Sequence, residues 1–304
     1  MRHFFIAICC IYLITGCTKK QSDTNTRSFY MGVTPWPADC IFDEINNANN
    51  FINNQCDIVS HHFDDGIPYE EAFTNQPFPA AFLQDVLTGK TKTNPGIKIF
   101  LSVSALNLTR KEKSGYYKES TFPDSIKNKW KNLPVNDPNV VTAYINYISW
   151  LIDQLQPVFV NYGVESNFSR WNASACSNYR DFISKVYPQL KSKYPLVPFF
   201  IRFIVDESAE GYRNAQQLVP YTDYIELSAY PYVTVSSSAN GSTNPVLFAD
   251  NYFKKFINLD AKKPLFFVET SYIAEDLIVP AYSLDKQGNT DWQKSYLEFI
   301  CQFL

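Results

Sequence analysis

The chain is short of histidine, lacks a glycine-rich turn and carries almost no excess of either charge. Each shortage removes a class of function. Three histidines occur in 304 residues, and His3 lies in the leader-like start. A histidine-rich zinc site is therefore excluded. His61 and His62 are adjacent, so on a strand their rings face opposite ways and cannot share one metal. With both on one strand and no Gly-x-Ser-x-Gly turn, a Ser-His-Asp machinery is excluded too. The turn after the first apolar strand reads Thr34-Pro35-Trp36-Pro37, which cannot cradle a phosphate as a doubly wound nucleotide fold requires. Lys and Arg number 27 and Asp and Glu 30, for a net charge of −3. There is no basic field for nucleic acid and no acidic tail. Low-complexity blocks, internal linkers and repeats are also missing.

Of seven cysteines, Cys9 and Cys10 fall in the leader. Cys40, Cys56, Cys176 and Cys301 have no metal-ligand spacing and could pair in three ways. Their default reading is as small buried hydrophobes. Asp64-Asp65-Gly66 lacks the further oxygen ligands of a calcium loop and reads as a solvated turn. No cofactor and no metal are expected.

What is present begins with a leader. A positive start, Met1-Arg2-His3, precedes an apolar stretch at 4–14, too short to span a bilayer comfortably. The ending Leu13-Ile14-Thr15-Gly16-Cys17 resembles the bacterial lipobox. The expectation is a lipoprotein signal peptide over 1–16, lipidation of Cys17, and a polar tether over 17–27. The protein would be exported and lipid-anchored, periplasmic or surface-facing, touching membrane only through that lipid. Aromatics make up 16% of the chain, with 20 Tyr and 5 Trp. Most fill core, but such rings also suit the flat apolar faces of sugars.

From residue 28 a strand–loop–helix rhythm recurs. Strands are expected at 29–36, 56–63, 97–104, 157–165, 198–205, 224–230 and 265–268. Helices are expected at 41–53, from Pro79 to 88, at 137–156, 179–193 and 292–304. Asp137-Pro138 supplies a capping residue and a first-turn proline. Val141, Ile145, Ile148 and Ile152 then share one helix face. Residues 107–136 read as a long polar excursion. Most of the strands are largely apolar rather than strictly alternating, as in parallel strands covered on both faces. Seven such strands separated by helices predict an α/β fold, a TIM-like (β/α)8 barrel over 28–304, truncated before its eighth strand. Active sites of such barrels lie at the C-terminal strand ends, where the polar residues cluster.

Two glutamates stand out there, Glu165 after the fourth apolar run and Glu269 after the seventh. A carboxylate at the end of a buried strand is costly to desolvate unless it has partners or a task. Two on distant strands are what a retaining glycosidase needs. The segments Gly163-Val164-Glu165-Ser166-Asn167 and Phe267-Val268-Glu269-Thr270-Ser271 resemble the two catalytic signatures of glycoside hydrolase clan A. The Glu-Thr pair is most similar to family 53, the endo-β-1,4-galactanases. Ser228-Ala229-Tyr230-Pro231-Tyr232 resembles the clan's segment in which a tyrosine holds the nucleophile.

The resemblance implies a retaining glycoside hydrolase acting on a polysaccharide or oligosaccharide. Glu269 would be the nucleophile, Glu165 the acid/base and the more protonated of the two, and Tyr230 the donor to Glu269. Val164 stands where the clan places an asparagine, so Asn167 or Asn161 would have to reach the sugar. Further candidates for substrate binding are Trp36, His61, His62, Asn107, Trp171, Asp206, Tyr232 and Tyr272. Asp206 either lines the cleft or caps a helix. A monomer is expected. The alternatives are a non-catalytic glycan-binding lipoprotein on the same barrel, and a barrel whose glutamates are ion-pair partners of Arg202 or of lysines.

Overall fold

A computed structural model describes residues 28–117, 122–206, 208–234, 243–248 and 252–303. The expected leader, Cys17 and the tether lie outside the described residues. The strands are β1 (Gly32–Val33), β2 (Ile58–Phe63), β3 (Lys98–Val103), β4 (Phe159–Gly163), β5 (Phe199–Ile204), β6 (Ile225–Ala229) and β7 (Leu265–Thr270). They form one parallel sheet in chain order, the arrangement that apolar strands alternating with helices demand.

The sheet curls. Phe100 on β3 stacks on Phe266 of β7 with ring centroids 5.6 Å apart. Arg202 of β5 reaches Ser102 of β3 through the interior at 3.1 Å. Aromatic rings from β3, β4, β5 and β7 plug the lower interior, and polar side chains occupy the upper part. The helices cover the outside. In order they are α1 (Phe42–Gln55), α2 (Tyr69–Thr74), α3 (Ala80–Lys92), α4 (Asp124–Asn132), α5 (Pro138–Leu155), α6 (Ala173–Lys193), α7 (Ala209–Leu218), α8 (Pro231–Thr234), α9 (Lys254–Ile257) and α10 (Thr290–Cys301). A hairpin, β8 (Leu277–Val279) with β9 (Leu284–Lys286), precedes α10.

Helix α5 starts as expected, with Asp137 accepting from the Asn139 amide at 2.8 Å, and its four-residue apolar face is buried. Helix α6 begins six residues earlier than expected because Asn172 caps it by accepting from the Ala175 amide. The polar excursion contains α4, whose single buried residue is Trp130. Strand β1 has two paired residues, both exposed, because only β2 flanks it. Cys40 and Cys301 are exposed, so the reading of these two as buried does not hold.

Candidate functional site

The fourth and seventh strands end differently. Glu269 lies inside β7, beside Ser228 in the parallel register. Glu165 follows β4 in a turn, with φ 47°, a left-handed conformation that costs a non-glycine residue on the order of 1–3 kcal/mol. The turn throws its carboxylate back over the sheet. There Ser228 of β6 donates to Glu165 Oε1 at 3.2 Å. Tyr230, at the end of the same strand, donates to Glu269 Oε1 at 2.6 Å. Strand β6 therefore holds one carboxylate with its serine and the other with its tyrosine. Burial first, and the Glu269 charge second, push the Tyr230 phenol well above its ordinary pKa, so it remains a donor.

Each carboxylate also meets a guanidinium. Arg110 Nε donates to Glu165 Oε2 at 3.0 Å. Arg110 is itself left-handed, with φ 58°, and its carbonyl accepts from the Trp171 indole at 2.6 Å. Arg202, almost fully buried on β5, pairs through Nη1 with Glu269 Oε2. Its Nε reaches Glu226 Oε1 at 3.3 Å, and its Nη2 donates to Ser102 Oγ. Burial opposes charge on Arg202, and Glu269, Glu226 and Glu165 outweigh it, so its pKa lies above the ordinary value. Ser102 Oγ in turn meets His62 Nδ1 at 2.9 Å, and His62 Nε2 meets Asp64 at 3.0 Å. That contact is the main reason the Asp64 carboxyl lies below its usual range.

Several expected binding residues are employed elsewhere. His61 points outward, as alternation along β2 requires. Its Nε2 meets Thr93 at 3.2 Å, and its ring occupies the place of a missing Cβ at Gly89 in α3. Asn167 is fully buried and ties β5 to α7 through Ile204 and Gly211. Asn161 is buried on Glu226 and on the Gly163 amide. Neither asparagine faces the mouth, and Val164 is also buried. Asp206 accepts from the Ser208 amide just ahead of α7, and the helix itself is capped by Ser208. The Asn107 side chain builds the turn that presents Arg110, accepting from Thr109 and from the Lys111 amide. Trp171 packs on Tyr179 and supports that same turn. Tyr272 stacks on Tyr296 and donates to the Thr243 carbonyl. Tyr232 remains half-buried, near Ser271 at 3.1 Å. Trp36 is 64% exposed and shares a cavity of about 210 Å³ with His62 and Asp64.

Arg110 was not anticipated, because nothing in the polar stretch around it marks it. Among the described residues no cluster of metal-ligating side chains occurs.

Two buried groups give the site a measurable pH signature. Burial pushes the Glu226 carboxyl up to about 7, despite Arg202 and Asn161. An unfolded glutamate titrates near 4.5, so the folded chain keeps a proton that the unfolded chain has lost. Stability therefore falls as pH rises from 4.5 to 7, by roughly 3 kcal/mol in all. Burial holds the His61 imidazole down at about 4, against 6.5 when free. The unfolded chain then gains a proton that the folded chain refuses, and stability falls as pH drops from 6.5 to 4, again by roughly 3 kcal/mol. The two slopes oppose each other between 4.5 and 6.5. Urea titrations are expected to show stability rising toward low pH in His61→Gln and falling toward low pH in Glu226→Gln, with the parent nearly flat. Parallel slopes in all three proteins would refute the assignment.

No known family model matches the chain, and no curated protein matches it in sequence. Solved structures do. The GH53 catalytic domain of Ignisphaera aggregans is 16% identical over 79% of this chain, with TM-score 0.49. A fungal β-1,4-galactanase is 12% identical over 86% of this chain and 76% of its own, with TM-score 0.53. A Bacteroides uniformis β-glucuronidase is 10% identical over 90% of this chain and 28% of its own, with TM-score 0.50. The chain spans 62% of the length of the Ignisphaera aggregans domain. The chain has the TIM-like barrel fold of the clan A glycoside hydrolases. At these identities the likeness establishes the fold, and the chemistry rests on the side chains.

Proposed function

We propose that the protein is a retaining glycoside hydrolase acting on a polysaccharide or oligosaccharide. Glu269 attacks the anomeric carbon, Glu165 protonates the leaving oxygen, and Glu165 then draws a proton from the water that releases the sugar. The observation that carries this reading is the shared hold of β6 on both carboxylates, Ser228 on Glu165 and Tyr230 on Glu269. Tyr230 and Arg202 contact one oxygen each of Glu269 and fix the position of its carboxylate. The lipobox-like ending at Cys17 supports an exported, lipid-anchored protein whose substrate is an extracellular or periplasmic glycan.

One observation favours a second reading, a barrel that binds glycans without turning them over. Each carboxylate already has an arginine partner, as in a structural ion pair. The test is a panel of neutral and acidic β-linked glycans, followed for new reducing ends and, by NMR, for the anomer first released. Hydrolysis with retention is expected. Binding without reducing ends would select the second reading, and inversion would defeat the double displacement.

A further inference from the structure

A groove of about 720 Å³ lies beside the candidate site, within the usual size of small-ligand sites. One wall is the 107–112 turn. That turn sends Arg110 inward to Glu165 and presents Lys111 to the groove. The opposite wall is α4, which contributes Lys127 and Lys131. A fourth lysine, Lys113, lies in the floor, donating to the Trp130 carbonyl and sitting over the Tyr69 ring. Among the described residues Glu112 is the one acidic residue of the lining. Four cations against one anion contrast with a chain whose net charge is −3.

Lys111 and Lys131 are exposed and belong to no ion pair among the described residues. Lys127 pairs with Asp124, which is 87% exposed, a contact of little worth that a ligand would displace cheaply. Between the lysines the lining offers amide side chains, Asn128 and Asn178. Amides suit sugar hydroxyls. The concave shape favours a chain laid lengthwise over a flat anionic surface.

We propose that this groove binds an anionic oligosaccharide, carboxylated or sulfated, with its charges on Lys111, Lys127 and Lys131. Its place in the reaction rests on the hydrolase reading: the turn that walls the groove also carries Arg110, which holds Glu165, the group that protonates the departing sugar, so the anionic units lie on the leaving-group side. Binding itself does not depend on that reading.

The experiment is calorimetry on the full chain carrying Glu269→Gln, which prevents consumption of the probes. The probes are tetragalacturonate, a κ-carrageenan tetrasaccharide that carries sulfate without carboxylate, neutral β-1,4-galactotetraose and phosphatidylglycerol vesicles. One acidic tetrasaccharide is expected to bind about ten-fold tighter than the neutral one, and which of them does so separates carboxylate from sulfate. That affinity should weaken with salt. Lys111→Ala combined with Lys131→Ala should remove the acidic preference, a loss of about ten-fold, and leave neutral binding unchanged. Equal affinity for neutral and acidic probes, an unaffected double variant, or binding to vesicles alone would overturn the proposal. Hydrolysis of neutral glycans without acidic binding would sink the groove and spare the hydrolase; acidic binding without any hydrolysis would do the reverse.

Discussion

Glutamine at position 269 is expected to lower turnover by more than about 10³-fold on every glycoside, whatever its leaving group, because the attacking carboxylate is gone. Glutamine at 165 should behave differently. Protonation of the leaving oxygen is worth roughly 10²–10⁴-fold when the departing group is a sugar alcohol. It is worth far less when that group is a nitrophenol, which leaves without help. The ratio of the two substrates' kcat/KM should therefore shift strongly in Glu165→Gln and hardly at all in Glu269→Gln. Both variants keep the side-chain length and one oxygen, so Ser228 and Tyr230 retain an acceptor and circular dichroism should remain that of the parent. Equal sensitivity to leaving group in the two variants would refute the assigned roles. Retained activity in Glu269→Gln would refute the mechanism.

The fold was legible because burial on both faces leaves a plain mark. A run such as 198–205 is largely apolar without strict alternation, and it became β5. Where burial is one-sided or absent the mark fades. Helix α7 buries Gly211, Asn214, Ala215 and Leu218, of which only the last is a large apolar residue, so its span carries no clear periodic mark. The hairpin β8–β9 is three residues a side and largely solvent-facing, and it was missed for the same reason. The two glutamates could be picked out because a charge at the end of an apolar run is conspicuous. Asn167 ties β5 to α7 instead, and nothing in a local string distinguishes an amide that holds a strand to a helix from one that faces a ligand. His61 and His62 show how far alternation goes: it separates the two rings, and only packing against Gly89 decides which is outside. Arg110 belongs to a turn whose shape is set by Asn107 and Trp171, 61 residues apart from its indole donor. Contacts of that separation are not written in a local pattern.

Replacing Arg202 by methionine is expected to cost about 3–5 kcal/mol of stability. Methionine fills much of the same volume, so little of this loss comes from a cavity. It comes from the groups left behind. Glu269 loses the cation on Oε2, Glu226 loses the one on Oε1, and Ser102 loses a donor. Glu226 is fully buried and its Oε2 has no partner among the described residues, so its charge becomes untenable in a low-dielectric interior. It has an escape, because a carboxyl pushed up to about 7 takes a proton readily. The penalty should accordingly shrink below neutral pH, where Glu226 is already protonated in the variant. Adding Glu226→Gln removes that buried charge altogether and should return a substantial part of the loss, so the two substitutions should be strongly non-additive. Glu269 lies nearer the solvent and still has Tyr230, so the double variant should fold and bind glycan while hydrolysing it slowly. Chemical unfolding of the parent, both single variants and the double variant at pH 5.5 and 8 closes the cycle. Additive losses, or an Arg202→Met protein within about 1 kcal/mol of the parent at pH 8, would mean that the interior network is not what holds Glu269 in place.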